Sequence, residues 1–383
     1  MRIQEEMNIE NIQLEFYKDN KINPVSIKTT GEQWQSHLWQ RGNLYENHLK
    51  IPSTWFNKKS VLEFGPNGGE NAIVHALNGA NVTLIEPHLL MHDRIYNLFS
   101  TFNLTGSLSE IYTDTVEDFT SKNKYDLVIA EGFLHALTDR DEVVKKLCSY
   151  SNDRVIFTYS DRYGYFFEAF KRFVYRRVLD IEGVNDEDFG TQLLYAKKLF
   201  FTEFSLLKSS RSFDSWVRDV LLNPCQTSET LDILPDLIKG INDTGFSYAS
   251  GSPSFDMRDK YSWYKKTIAG SIDDQYWENV SFFINGNNDT CFLDKDLDLI
   301  HQYCDFFLDY SAKKIKFNSL ENFQSIASIS NWCHSMDVNL IIESMHKGDS
   351  KFIINQFCTS KVSEVWGMPH HYVCLSKGTH VNI

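Results

Sequence analysis

The segment that most restricts how this chain folds is SVLEFGPNGGEN, residues 60–71. Its first part is a short, nearly continuous apolar run, the pattern of a strand buried on both faces. The chain then passes through Gly65, Gly68 and Gly69 and enters ENAIVHAL, which has helical periodicity. Glycines at such a turn accept positive φ and let the backbone come into contact with a ligand, because no side chain intervenes. A second apolar run, VTLIEPH, closes with Glu86. In an open parallel sheet ligands occupy the crevice beyond the strand ends, where an acid after the second strand can hold both hydroxyls of a ribose. The arrangement is that of a nucleoside-cofactor site.

Two cofactor classes compete for it. A dinucleotide site requires G-x-G-x-x-G, so that the pyrophosphate rests on the helix N-terminus. This chain has G-x-x-G-G, with Glu63 two residues before the first glycine. A carboxylate there repels a pyrophosphate and suits a ligand that carries an ammonium group. At this point the chain resembles the class I S-adenosylmethionine-dependent methyltransferases, whose first motif is an acid followed by glycines at alternate positions. Glu63, Gly65 and Gly69 match it, and Asn67 stands at the usual middle glycine. Asn is the non-glycine residue that best tolerates a left-handed backbone, so the turn survives the exchange.

Strands and helices alternate from Ser60 to Asp161: SVLEF, ENAIVHALNG, NVTLIEP, MHDRIYNLFSTF, SEIYTD, YDLVIAEG, DEVVKKLCSYS and DRVIFTYSD. Gly79 falls where a helix C-cap glycine belongs. Right-handed crossovers make this a doubly wound parallel sheet. The expected fold is α/β: a Rossmann-like, doubly wound, seven-stranded methyltransferase sheet with a helical insertion after strand five and a C-terminal α+β extension. The expected divisions are a helical cap over 1–57, the cofactor-binding core over 58–161, a helical lid over 162–228, the end of the core over 229–269 and an extension over 270–383. FSYASGS and YSWYKKTI are the candidates for the last core strands. In the extension, DLDLIHQYCDFFLDYSAKKI and LENFQSIASISNWCHSM read as helical, and NLIIES and HYVCLSK as strand-like.

The resemblance implies roles for particular residues. Glu63 faces the methionine ammonium, Gly65, Asn67 and Gly69 shape the turn beneath the methionine, and Glu86 takes the ribose. Asp114, after strand three, meets the adenine amino group; as an N-cap of VEDF it fits equally well. After strand four, Glu131 and Phe133 line the reactive end, with the Phe133 ring a candidate face for the sulfonium. Candidate bases are Asp161, His135 and Glu131. For His135 packing against the next helix is the favoured alternative, and for Asp161 a turn acid. In the insertion, Lys171, Arg172, Arg176 and Arg177 recur at helical spacing beside Phe166, Phe170 and Phe173. This is either a solvated basic face or a surface for an anionic acceptor or membrane. Arg162, Arg172, Arg176, Arg211 and Trp216 are the candidate acceptor contacts, and Trp216 is also spaced as core. His370 and His371 have no partner at metal-ligand spacing, so no metal site is expected.

The formal net charge of −13 over 383 residues disfavours a nucleic-acid binder, which needs a broad basic surface. Seven cysteines without a CxxC pair read as free thiols in a reducing compartment. No signal peptide and no membrane-spanning stretch is evident, so cytoplasmic residence is expected, with peripheral membrane contact left open. The expected function is methyl transfer from S-adenosylmethionine, with S-adenosylhomocysteine as product, to a small-molecule or carbohydrate acceptor, a hydroxyl preferred. Sugar-tailoring enzymes of the bacterial surface are the subgroup the layout most resembles. The alternatives are a non-catalytic scaffold with this fold and an NAD-dependent oxidoreductase, the latter disfavoured by the missing glycine pattern.

Overall fold

The computed structural model describes residues 9–20, 28–137, 139–207, 211–254, 271–286, 292–318 and 337–378. The chain divides into two compact units. The first comprises residues 1–159, 232–277 and 371–383, and the second 160–231 and 278–370.

The first unit is built on a seven-stranded sheet: β1 (Ser60–Phe64), β2 (Asn81–Ile85), β3 (Leu108–Tyr112), β4 (Tyr125–Ala130), β5 (Ser151–Ser160), β6 (Phe246–Ser252) and β7 (His370–Lys377). Their order is β3-β2-β1-β4-β5-β7-β6. β1 pairs in parallel with β2 and β4, β2 with β3, and β4 with β5, whereas β6 and β7 are antiparallel. The order reverses at β1, so the ends of β1 and β4 flank the crevice in which such sheets bind ligands. β1 and β4 carry apolar residues at successive positions because both of their faces are covered. At the edge, β3 is half-exposed, in keeping with its SEIY sequence.

The helices α1 (Ile9–Asn20) and α2 (Gly31–Asn43) precede β1. Trp34 of α2 packs with Tyr45, Phe56, Val61, Ile73, Val82, Ile95 and Phe99 in one buried cluster. α3 (Ala72–Leu77) follows β1 and ends before Gly79, whose φ of +92° is the left-handed cap conformation. α4 (Leu89–Thr101) and α5 (Arg140–Tyr150) complete the alternation. The seventh strand is His370–Lys377, drawn from the far end of the chain. The alternative YSWYKKTI, residues 261–268, lies outside the described residues, as does LENFQSIASISNWCHSM.

The second unit is helical around α6 (Phe166–Glu182), which continues into α7 (Phe189–Leu206) after the left-handed Gly183. α6 packs along the helix Asp294–Ser311 through an aromatic cluster. Phe173 stacks on Phe307 at 4.8 Å and meets Tyr310 edge-on at 5.2 Å, and Phe170 lies 5.2 Å from Phe307. Each such ring contributes about 1.5–3 kcal/mol when fully buried, enough to give this unit a core of its own. NLIIES, which reads as strand-like, is instead part of the helix Val338–His346. Val338, Ile341, Ser344 and Met345 are its buried positions, and their spacing of three and four residues is helical.

Candidate functional site

The glycine turn leaves β1 with left-handed backbone at Gly65 (φ +65°), Asn67 (+51°) and Gly69 (+84°). Asn67 thus adopts the conformation expected of it at the missing glycine. Gly65 N–H donates to Ile85 O (2.9 Å), tying the turn to the end of β2. A Cβ on Gly65 would meet the Phe133 ring at 3.0 Å, so the ring lies over the turn.

The two acids reach the turn from different sides. Glu86 is buried, and its carboxylate accepts from Asn67 N (2.8 Å) and from His88 N (2.9 Å). It therefore fixes the turn as well as closing β2. Glu63 is also buried, and its Oε2 lacks a hydrogen-bond partner. His75 Nε2 lies 3.4 Å from it. A buried acceptor left unmade costs about 1–3 kcal/mol, so sites that keep one generally use it. The Asn67 Oδ1 atom is a second buried acceptor without a partner in the same turn. Both atoms are acceptors with capacity for a hydrogen-bond donor. Asp114 follows β3 and is half-buried. Thr115, not Asp114, caps the turn after it: its Oγ1 accepts from Asp118 N (3.2 Å), so the capping alternative for Asp114 falls away.

After β4 the chain is pinned by Gly132 N–H donating to Thr158 Oγ1 (2.7 Å). Here Glu131 departs from the expectation of a base. Arg41 grips it with both guanidinium nitrogens (2.8 and 2.9 Å), and Tyr372 (2.6 Å) and Asn71 (3.1 Å) donate to the same carboxylate. Burial alone would raise the Glu131 carboxyl, but Arg41 and the Tyr372 hydroxyl outweigh it and hold the group below the usual carboxylate range. Glu131 is an ionised anchor joining α2, β4 and β7. Arg41 also donates to Tyr45 Oη (2.8 Å). Neither Arg41 nor Tyr372 was visible as a site residue in the sequence, because they lie 90 and 241 positions from Glu131 and share no motif with it. His135 is buried in the single turn Leu134–Ala136.

The residues expected to meet the acceptor are engaged within the second unit. Asp161 is fully buried and accepts from Tyr163 N (3.1 Å) and Gly164 N (2.8 Å), a turn acid leading into α6 rather than a base. Arg172 is buried and donates to Gln226 O (3.0 Å) and Asn223 O (2.7 Å). Arg176 pairs with Asp180 and Asp186, Arg162 with Asp305, and Arg211 with Asp219. Trp216 packs against Phe200, Phe204, Phe213 and Trp366. Of the basic stripe on α6, Lys171 and Arg172 are buried, whereas Arg176 and Arg177 are partly exposed and engaged with partners within the unit. Helical spacing identified a face, but the partners of Arg172, the carbonyls of Asn223 and Gln226, come from distant sequence.

Among the described residues no group of three or more acidic, His or Cys side chains is arranged to hold a metal ion. Five cysteines, 148, 225, 304, 358 and 374, are free thiols. No helix among the described residues is long and apolar enough to cross a membrane.

Residues 38–206 match the family model described as a methyltransferase domain. No curated protein matches the chain. Among solved structures it is similar to magnesium protoporphyrin IX methyltransferase from Synechocystis PCC 6803, crystallised with S-adenosylhomocysteine. Identity there is 14% and the TM-score 0.37, covering 63% of this chain and 91% of that one. It is also similar to the N-methyltransferase NodS from Bradyrhizobium japonicum WM9, with 14% identity, a TM-score of 0.30 and coverage of 39% and 74%. Both likenesses are low. The matched segment, under half of the chain, contains the turn, Glu86 and the first five strands and is similar to a methyltransferase domain, and the seven-stranded sheet is α/β and Rossmann-like.

Proposed function

We propose that this chain transfers the methyl group of S-adenosylmethionine to a hydroxyl of a small-molecule or carbohydrate acceptor. The observation that carries the donor reading is Glu63 Oε2, buried without a hydrogen-bond partner directly before the left-handed turn at Gly65, Asn67 and Gly69. In this reading Glu63 receives the ammonium of the methionine end. The turn backbone and Asn67 Oδ1 lie under that end. Glu86 accepts from the ribose hydroxyls, and Asp114 receives the adenine amino group. Phe133 covers Gly65 and offers a ring face to positive charge, a contact of about 0.5–2 kcal/mol. When bound, the donor supplies a methyl carbon already activated by a sulfonium. The protein's part is to hold an acceptor oxygen in line with it at near-attack distance, and that is where much of the rate arises.

The acceptor class rests on composition and on the resemblance. The acidic chain disfavours RNA and DNA, and a small hydroxylated acceptor suits the sugar-tailoring layout. Calorimetry with S-adenosylhomocysteine and with NAD separates the donor classes. Micromolar binding of the first and none of the second is expected, and the reverse sinks the reading. A panel of glycosides, phenols, amines and thiols with labelled donor then tests the acceptor. Label appearing on amines or thiols alone would refute the hydroxyl.

A further inference from the structure

α7 buries Gln192, Ala196, Leu199, Phe200 and Phe204, at spacings of three and four residues. Helical geometry therefore puts Leu194, Lys197, Lys198, Phe201 and Ser205 on the opposite side. There Leu194 and Phe201 are 52% and 49% exposed, both lysines are exposed, and Leu206 at the helix end is 75% exposed. Phe201 keeps its position through an edge-on contact with Phe213 at 5.3 Å. Glu203, the single acid within α7, stands half a turn from Leu194 by helical spacing and acts on the buried Lys171. The helix Ser350–Thr359 lies alongside, with Phe357 edge-on to Phe200 at 5.5 Å, and adds the exposed Lys351. Lys198 and Lys351 act on one carboxylate, Glu182, so the two helices bring their positive charges to the same area. Glu182 itself accepts from the Tyr195 and Ser350 hydroxyls.

Large apolar side chains interspersed with lysines suit one kind of partner on a chain of net charge −13. At an anionic lipid surface the apolar groups enter the acyl boundary, while the lysine stems reach back to the phosphates. A second copy of this chain, meeting the same face through a two-fold axis, would set lysine against lysine. We propose that the exposed face of α7, with Lys351 beside it, docks the protein on an anionic lipid surface as a peripheral contact. The proposal is independent of the donor reading.

The test is sedimentation of the full chain with vesicles of phosphatidylcholine alone and of equimolar phosphatidylcholine and phosphatidylglycerol. Binding is expected to the second kind only, and it should fall at least about tenfold at about 1 M salt, where the Debye length is about 3 Å. That comparison needs no variant to fold. Lys197→Gln combined with Lys198→Gln should weaken binding about twentyfold, since each lysine near such a surface is worth about fivefold. Leu194→Ser removes the apolar half of the contact and should weaken binding about tenfold. Melting temperatures close to wild type are expected for these exposed changes. Lys122→Gln combined with Lys239→Gln, two exposed lysines of the first unit, removes the same charge elsewhere and should leave binding unchanged. Equal binding to both kinds of vesicle, binding to neither, or an equal loss in the Lys122 and Lys239 control overturns the proposal. Dimerisation that Leu194→Ser abolishes, without vesicle binding, gives the face to a second copy and overturns it as well.

Discussion

At Asn67 a single side chain reconciles two demands, a left-handed backbone and a buried acceptor in the turn. Asn67→Gly should therefore leave stability within about 0.5 kcal/mol of wild type, while Asn67→Val should cost about 1–2 kcal/mol, read from chemical denaturation. Glu86 has a double duty, since it receives two backbone N–H groups as well as the proposed ribose. Glu86→Ala is expected to weaken S-adenosylhomocysteine binding at least tenfold and to lower the melting temperature, because Asn67 N and His88 N lose their acceptor. Unchanged affinity in a folded Glu86→Ala protein would remove this residue from the site. The left-handed backbone at Asn67 was legible in the sequence because it depends on local geometry, whereas the two backbone N–H groups that Glu86 accepts were not. The partner of Glu63 was not, since His75 reaches it only when α3 packs beside β1.

Among the elements, α6 and α2 carry the clearest departures. α6 looked like a basic face awaiting an anion, yet Arg172 serves two backbone carbonyls inside the second unit. Arg172→Met should cost about 2–4 kcal/mol, since two buried acceptors are orphaned, whereas Arg176→Ala, at the surface, should cost less than about 1 kcal/mol. Equilibrium unfolding of the two variants decides this, and a neutral Arg172→Met would return that residue to the acceptor site. α2 contributes Arg41 to Glu131. Because the folded Glu131 carboxyl is depressed below its ordinary 4.5, its contribution is present above that pH and is lost as pH falls through the folded value. Arg41→Ala leaves a buried charge uncompensated. It is expected to destabilise by about 3–5 kcal/mol near neutrality, with the difference from wild type shrinking in acid. A pH series of melting curves reads that convergence.

For the molecule as a whole, the donor reading predicts a mass-action effect. S-adenosylhomocysteine at about 100 times its Kd should stabilise the unit that binds it by about 2.7 kcal/mol, and NAD should not. Scanning calorimetry of the full chain with each ligand checks this. The effect should vanish in Glu86→Ala if that acid holds the ligand. The acidic net charge disfavours nucleic acid as an acceptor.

The alternation from Ser60 to Asp161, the glycine turn and its two acids were determined by the sequence alone, because each follows from period, backbone freedom or strand order over a few neighbouring residues. The tertiary structure decided the rest. It drew β7 from His370–Lys377, brought Arg41 and Tyr372 onto Glu131, and buried Lys171 and Arg172 of α6. Those outcomes depend on which distant surfaces meet, and a buried charge records its partners only after the chain has folded around it.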